Sequence, residues 1–166
     1  MKIDEIAPFR FTILGQPATK KNSSRIIRGH ARLLPSKAYT DYSSRFHRQL
    51  MDMEKIMELP HFSGPVSMTC LYWLKDRAHY PDLLGLEQAT ADIMSDTYKT
   101  VDHRRQLKRM WILSDDRIIK RWDGSQIIGI DKENPRVEVT VRPLDVTEDE
   151  PDPYIRKLAA EKYRLF

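Results

Sequence analysis

Between residues 66 and 94 the hydrophobic period changes once, and that change restricts the fold more than any other feature of the chain. Val66 to Leu74 is an apolar, β-branched and aromatic run that reads as a strand and ends in the charged, irregular segment 75–81. After Pro81 the period lengthens: Leu83, Leu86, Thr90, Ile93, Met94 and Thr97 recur at about 100° per residue, with Asp82 placed as N-cap. A strand that hands over directly to an amphipathic helix must pack that helix on a sheet, since neither element buries its apolar face alone.

The flanking sequence extends the same plan. Phe9 to Leu14 reads as a strand leaving into the turn Gly15-Gln16-Pro17, and a basic loop follows. Ser36 is placed to cap a helix over residues 37–57, where Ala38, Tyr42, Phe46, Leu50 and Met53 share one face. Residues 117–122 read as a strand ending at Asp123-Gly124-Ser125, and residues 136–142 alternate Val137, Val139 and Val141 toward one buried face. The expected fold is α+β, close to α/β: a mixed β-sheet with flanking helices. Its 166 residues suit one compact domain. That domain is expected over residues 1–145, followed by an acidic linker and a C-terminal amphipathic helix within residues 146–166.

No apolar run approaches the roughly 20 residues that span a bilayer, and the N-terminus lacks a signal-peptide core. A cytoplasmic protein with no membrane partner is expected. The single cysteine, Cys70, leaves no disulfide framework and no thiolate zinc site, and its place in an apolar strand predicts a buried, inert thiol.

The net charge of +4 is modest, but its distribution is uneven. Lys20, Lys21, Arg25, Arg28, Arg32, Lys37, Arg45 and Arg48 face the lone acid Asp41 across residues 20–48. A second basic stretch holds Lys99, Arg104, Arg105, Lys108 and Arg109, while acids gather at residues 145–152. Such asymmetry points to a polyanionic partner, because each cation placed on a phosphate releases condensed counterions; a merely solvated face gives the same composition.

Three aspartates stand where elements end. Asp82 lies between strand and helix, and Asp115 and Asp116 lie just before a strand, so these ends are expected to meet at one rim. Two or three converging carboxylates suit a hard cation such as magnesium, whose shell substrate phosphate completes. The bland alternatives are a helix cap at Asp82 and a solvated turn at the Asp-Asp pair. Asp92 and Glu87, on the same helix, either join the site or are solvated.

In order and spacing, these pieces resemble the RusA-type Holliday junction resolvases. The family pattern is a strand, an acidic motif of the form Asp-Leu-Asp-Asn-Leu with a nearby Lys, an Asp-hydrophobic pair along the helix, and an Asp-Asp before a strand. Here Asp82-Leu83-Leu84-Gly85-Leu86, Asp92-Ile93 and Asp115-Asp116-Arg117-Ile118 stand in those places. Upstream, Gly15-Gln16-Pro17 and Lys20-Lys21-Asn22 are similar to the start of phage members, and Asn134-Pro135-Arg136-Val137 resembles their final strand. The resemblance covers residues 8–142. It departs from the pattern at Leu84, Gly85 and Gln88, which replace the second acid, the Asn and the helix Lys, and in a longer link between Met94 and Trp111.

The resemblance implies a two-fold homodimer that cuts branched DNA, the four-way junction in particular, in paired phosphodiester cleavages during recombination or repair. It implies magnesium, with manganese as a possible substitute, on Asp82 and Asp116, with Asp115 assisting and Asp92 as a further ligand. Phosphates would be held by Lys20, Lys21, Asn22, Arg25, Arg28 and Arg32, and His79 or Tyr80 would stack on an unpaired base. The lost carboxylate leaves three readings open: Glu87 or Asp92 replaces it, a basic residue of the longer link supplies the lost charge, or the protein binds branched DNA without cutting it. A small metal-dependent nucleotide hydrolase uses similar acids but has less need of distributed positive charge.

Overall fold

The computed structural model describes residues 7–20 and 34–144, the backbone alone of residues 22–27 and 30–33, and residues 153, 154 and 157. The fold is α+β. Strands β1 (Phe9–Leu14), β4 (Val66–Leu74), β7 (Ile119–Trp122), β8 (Gln126–Ile130) and β9 (Arg136–Pro143) form one mixed sheet. Helices α1 (Lys37–Glu54) and α2 (Leu83–Met94) pack on it. Two separate ribbons complete the described elements: β2 (Asn22–Ile27) with β3 (His30–Pro35), and β5 (Thr97–Val101) with β6 (Arg104–Arg109).

β4 is the axis of the sheet. It runs antiparallel to β9, which runs antiparallel to β1. Its other edge is shared: β7 pairs in parallel with Val66, Ser67 and Met68, and β8 pairs in parallel with Leu71 to Leu74. The gap between β7 and β8 is sealed by polar groups. Ser67 donates to the Asp123 carboxylate, Thr69 Oγ1 donates to Asp123 O at 2.6 Å, and Cys70 N donates to Ser125 Oγ at 2.9 Å. Gly124 turns the chain there at φ +67°. The expected end of a strand at Asp123-Gly124-Ser125 is therefore a break after which pairing with β4 resumes.

Alternation decides which face is covered. Val66, Met68, Cys70, Tyr72 and Leu74 of β4, Val137, Val139 and Val141 of β9, and Phe11 and Ile13 of β1 are buried. Over them lie Tyr42, Phe46 and Leu50, one stripe of α1, and Leu86, Ala89, Ile93 and Met94 of α2. Arg10, Thr12 and Leu14 point to the opposite face and are exposed at the β1 edge, while the residues of β4 and β9 on that face are half-buried and Ser67 is fully buried. Burial also pushes the Cys70 thiol up to about 12, which fits an inert core thiol.

Boundaries moved where side chains competed with the expected pattern. α1 stops at Glu54 and its last three expected residues form a turn, since the apolar stripe has run out and Ile56 is 85% exposed. α2 stops at Met94, because Ser95 is extended and bridges to Leu113. The strand expected from Arg117 begins at Ile119, after a 3₁₀ turn over Asp116–Ile118. The expected basic loop is the β2–β3 ribbon, and β5, β6 and β8 carried no clear period of their own.

The Thr90 hydroxyl ties the layers together. Thr90 Oγ1 donates to Leu86 O at 2.9 Å and meets Tyr42 Oη at 2.9 Å and Tyr72 Oη at 2.8 Å, all buried. Thr90→Val keeps the shape, strands the Tyr42 hydroxyl and leaves the Tyr72 hydroxyl only the weak Cys70 thiol as partner. At roughly 1 kcal/mol or more for each unsatisfied buried group, urea denaturation should read a loss of about 2 kcal/mol, and Thr90→Ser should recover most of it.

The expected tail, residues 146–166, lies almost wholly outside the described residues. Tyr154 is described, and Lys120 Nζ of β7 sits 5.4 Å from its ring centroid. Among the described residues no helix is long and apolar enough to cross a membrane.

Candidate functional site

Asp82 begins α2 as the sequence suggests. Its backbone is extended, and its carboxylate accepts from Gly85 N at 3.0 Å, satisfying one of the helix's free N–H groups. Gly85 sits in a crowded spot: a Cβ there would stand 2.9 Å from Asp82 Oδ1 and 2.9 Å from Thr19 Cγ2, so either side chain would have to move aside. Leu84, where the family pattern has an acid, is 72% exposed, and Gln88 is exposed too.

The expectation that Asp82 meets Asp115 and Asp116 at one rim is corrected by topology. Asp82 follows the C-terminal end of β4. Asp115 and Asp116 precede β7, which runs parallel to β4 and pairs with its first residues, so they stand at the opposite end of that strand. α2 spans the interval. Its C-terminal end is fixed beside the Asp pair by Ile112 N and Leu113 N, which donate to Met94 O at 3.1 and 2.9 Å. Ten residues of helix, about 15 Å of rise, therefore carry the chain from Asp82 to Asp92, and the α2 acid whose charge bears on Asp116 is Asp92.

Three carboxylates thus share one rim with unequal compensation. Asp115 accepts from Arg117 N at 2.9 Å, Nε at 2.8 Å and Nη2 at 3.1 Å, and this grip lowers its carboxyl to about 2. Asp116 is shifted the other way: partial burial, then the adjacent Asp115 and the charge of Asp92, raise its affinity for a proton. Asp92 pairs with Lys20 Nζ at 3.5 Å, and that ammonium also lies 5.8 Å from the Tyr39 ring centroid. Lys20, expected on phosphate, is thus drawn into the acidic rim. Glu87 is not part of it: it is buried in the middle of α2, where desolvation raises its carboxyl and its charge acts on Cys70.

Among the described residues no three His, Cys, Asp or Glu side chains close on a common point. The donors at the rim are nonetheless all carboxylate oxygens, the type a hard cation takes, and at Asp116 partial burial and the neighbouring acids outweigh the pull of Arg117. An ion at this rim would rest on the carboxylates of Asp92 and Asp116 and not in a closed protein cage.

Of the other expected phosphate contacts, Asn22 and Arg25 lie on β2 and Arg32 on β3, with Arg25 and Arg32 in directly paired positions. Lys21 and Arg28 lie outside the described residues. His79, at φ +50°, and Tyr80, 54% exposed, precede Asp82 at the far end of α2. His79 lines an open cleft of about 410 Å³ with Gln16, Thr19, Lys75 and Pro81.

Sequence reasoning missed one polar centre. Asp96, its side chain 5% exposed, accepts from Trp111 N at 2.7 Å and meets His61 Nε2 at 2.9 Å. A lone Asp after a helix gives no sign of burial; only the paired loops reveal it. No protein-family model matches this chain, and no curated protein matches it.

Proposed function

We propose that the protein is a divalent-cation-dependent endonuclease that resolves four-way junctions and related branched DNA. The observation that carries this reading is the packing of the end of α2, which bears Asp92, against the turn that bears Asp116, near enough for the Asp92 charge to act on a carboxyl that partial burial has already pushed up. Structural acids are normally compensated, and a perturbed carboxylate beside like charges is a common mark of a working site.

Asp92 and Asp116 would hold magnesium, or manganese in its place, and the ion would supply the Lewis acidity that phosphodiester hydrolysis needs. Asp115 fixes the Arg117 guanidinium at the same rim, where it can take a bridging phosphate as a planar donor. Lys20 offsets Asp92 until an ion does so, and is then free for backbone phosphate. The β2–β3 ribbon, with Asn22, Arg25 and Arg32, would position DNA without reading its sequence. A two-fold homodimer is the economical assembly, since the junction is itself two-fold and its resolution requires a cut on each of two opposed strands.

A second reading has its own support. Lys20 and Arg117 already neutralise much of the rim, and Leu84 and Gln88 stand where the RusA-type pattern has an acid and a lysine. A protein that binds branched DNA without cutting it would have that arrangement.

One assay separates the two. The wild type with magnesium should nick a synthetic four-way junction on opposed strands, leave linear duplex of equal length intact, and lose all cleavage in EDTA. Tight junction binding with no cleavage in magnesium or manganese would establish the binding-only reading, and equal affinity for junction and duplex would remove the junction as the substrate.

A further inference from the structure

The segment that joins α2 to the Asp115–Asp116 pair has a fixed root and a bare blade. At the root, Asp96 N donates to Leu113 O at 2.8 Å, and the buried Asp96 carboxylate holds Trp111 N and His61. Trp111 stacks on His47 with ring centroids 4.0 Å apart, Arg109 lies 4.3 Å from the Trp111 centroid, and Arg109 Nη2 donates to Glu54 at 2.6 Å. Those contacts tie the root to α1 and set its direction.

Beyond the root, β5 and β6 are exposed from Tyr98 to Lys108, on both faces. An isolated two-stranded ribbon is marginal in water unless something packs on it. Its turn is tight: Asp102 and His103 both take left-handed backbone, at φ +51° and +61°, the geometry that matches strand twist and that Asp and His adopt more readily than most non-glycine residues. Lys99, Arg104, Arg105, Lys108 and Arg109 stand against Asp102 alone across residues 97–110, a net +4 that equals the formal charge of the whole chain. Arg105 is stacked 3.7 Å from the Tyr98 ring centroid, and among the described residues the one ion pair made by β5 or β6 is the Arg109–Glu54 pair at the root. The register places Lys99 opposite Gln106 and Val101 opposite Arg104, so that face carries two cations and an amide beside one valine.

We propose that the β5–β6 ribbon is an arm that lies in a groove of duplex DNA and holds it chiefly by its phosphates. Charge decides the occupant: a second copy of this basic ribbon would be repelled, and an apolar partner would leave the cations unpaired. Size agrees, since the major groove, about 12 Å wide, admits a two-stranded ribbon, and five residues of strand extend about 17 Å. Because the arm is inserted between Asp92 and Asp115, a duplex lying along it is led toward the acidic rim. This inference rests on a nucleic-acid partner, as the proposed function does, but not on cleavage.

The test is a salt titration of binding to a labelled four-way junction and to linear duplex of equal length, using the full chain. Arg104→Glu with Arg105→Glu should weaken both at least about tenfold near physiological salt. It should also lower the slope of log affinity against log salt by about 2, at roughly 0.9 per phosphate contact. Lys99→Gln with Lys108→Gln, a milder change on the exposed ribbon, should act in the same direction with an unchanged melting temperature. Unchanged affinity and slope in both variants would overturn the arm, as would a change in oligomeric mass with DNA affinity retained, which would make the ribbon a contact between copies. A wild type that binds DNA through the ribbon but cuts no junction supports the arm and sinks the nuclease reading alone; a wild type that binds neither DNA sinks both.

Discussion

Asp116→Asn should lower junction cleavage by more than about a hundredfold while the protein folds normally and melts slightly higher in the absence of divalent cation. The size follows from comparison: loss of an outer-shell partner of a metal ligand costs about 10–100-fold, and loss of the ligand itself removes charge as well as an oxygen. The direction of the stability change follows from linkage. The folded state raises the Asp116 carboxyl above its unfolded value, so the fold favours the protonated form, and its stability falls as pH rises through the folded pKa. At neutral pH the charged carboxylate is a burden that Asn removes. Magnesium should therefore raise the wild-type Tm and leave that of Asp116→Asn nearly unmoved, and wild-type cleavage should fade on acidification at a pH above that of an ordinary aspartate. Asp115 has the opposite sign: Arg117 holds it to about 2, so its contribution is present at neutral pH and lost only as pH falls toward that value. A lower Tm for Asp116→Asn in EDTA, or full cleavage by it, would remove Asp116 from the centre.

The sheet and both helices were legible because each obeys one period. β4, β9 and β1 alternate into a single buried face, and α1 repeats Tyr42, Phe46 and Leu50. β5 and β6 were not legible because both of their faces are exposed, so no apolar period marks them, and their turn is Asp-His in place of the usual Asn-Gly. β8 was hidden behind Asp123-Gly124-Ser125, which does end β7 at Trp122; that a further strand then pairs with β4 depends on Ser67 and Thr69 sealing the break, which chain order does not show. The acids themselves were legible and their grouping was not. Chain order places Asp82 next to a strand end and Asp116 next to another, but only the parallel pairing of β7 with the beginning of β4 tells that these are opposite ends.

That distinction gives the sharpest contrast between two substitutions of the same kind on one helix. Asp82→Asn should cost less than about 1 kcal/mol, since Asn caps a helix about as well as Asp, and should leave cleavage within a fewfold of wild type. Asp82→Ala should lose about 1 kcal/mol through the unsatisfied Gly85 N–H. Asp92→Asn touches no cap and should be mild for stability, because its pair with the partly exposed Lys20 is long and solvated. Cleavage by it should nevertheless fall by more than about a hundredfold, with junction binding kept or tightened as Lys20 is released and the rim loses charge that repels phosphate. The double variant Asp92→Asn with Asp116→Asn should be no worse than either alone, as for residues that act as one unit. If instead Asp82→Asn abolishes cleavage and Asp92→Asn spares it, the cation belongs at the N-terminal end of α2, and the charge on Asp116 needs another explanation.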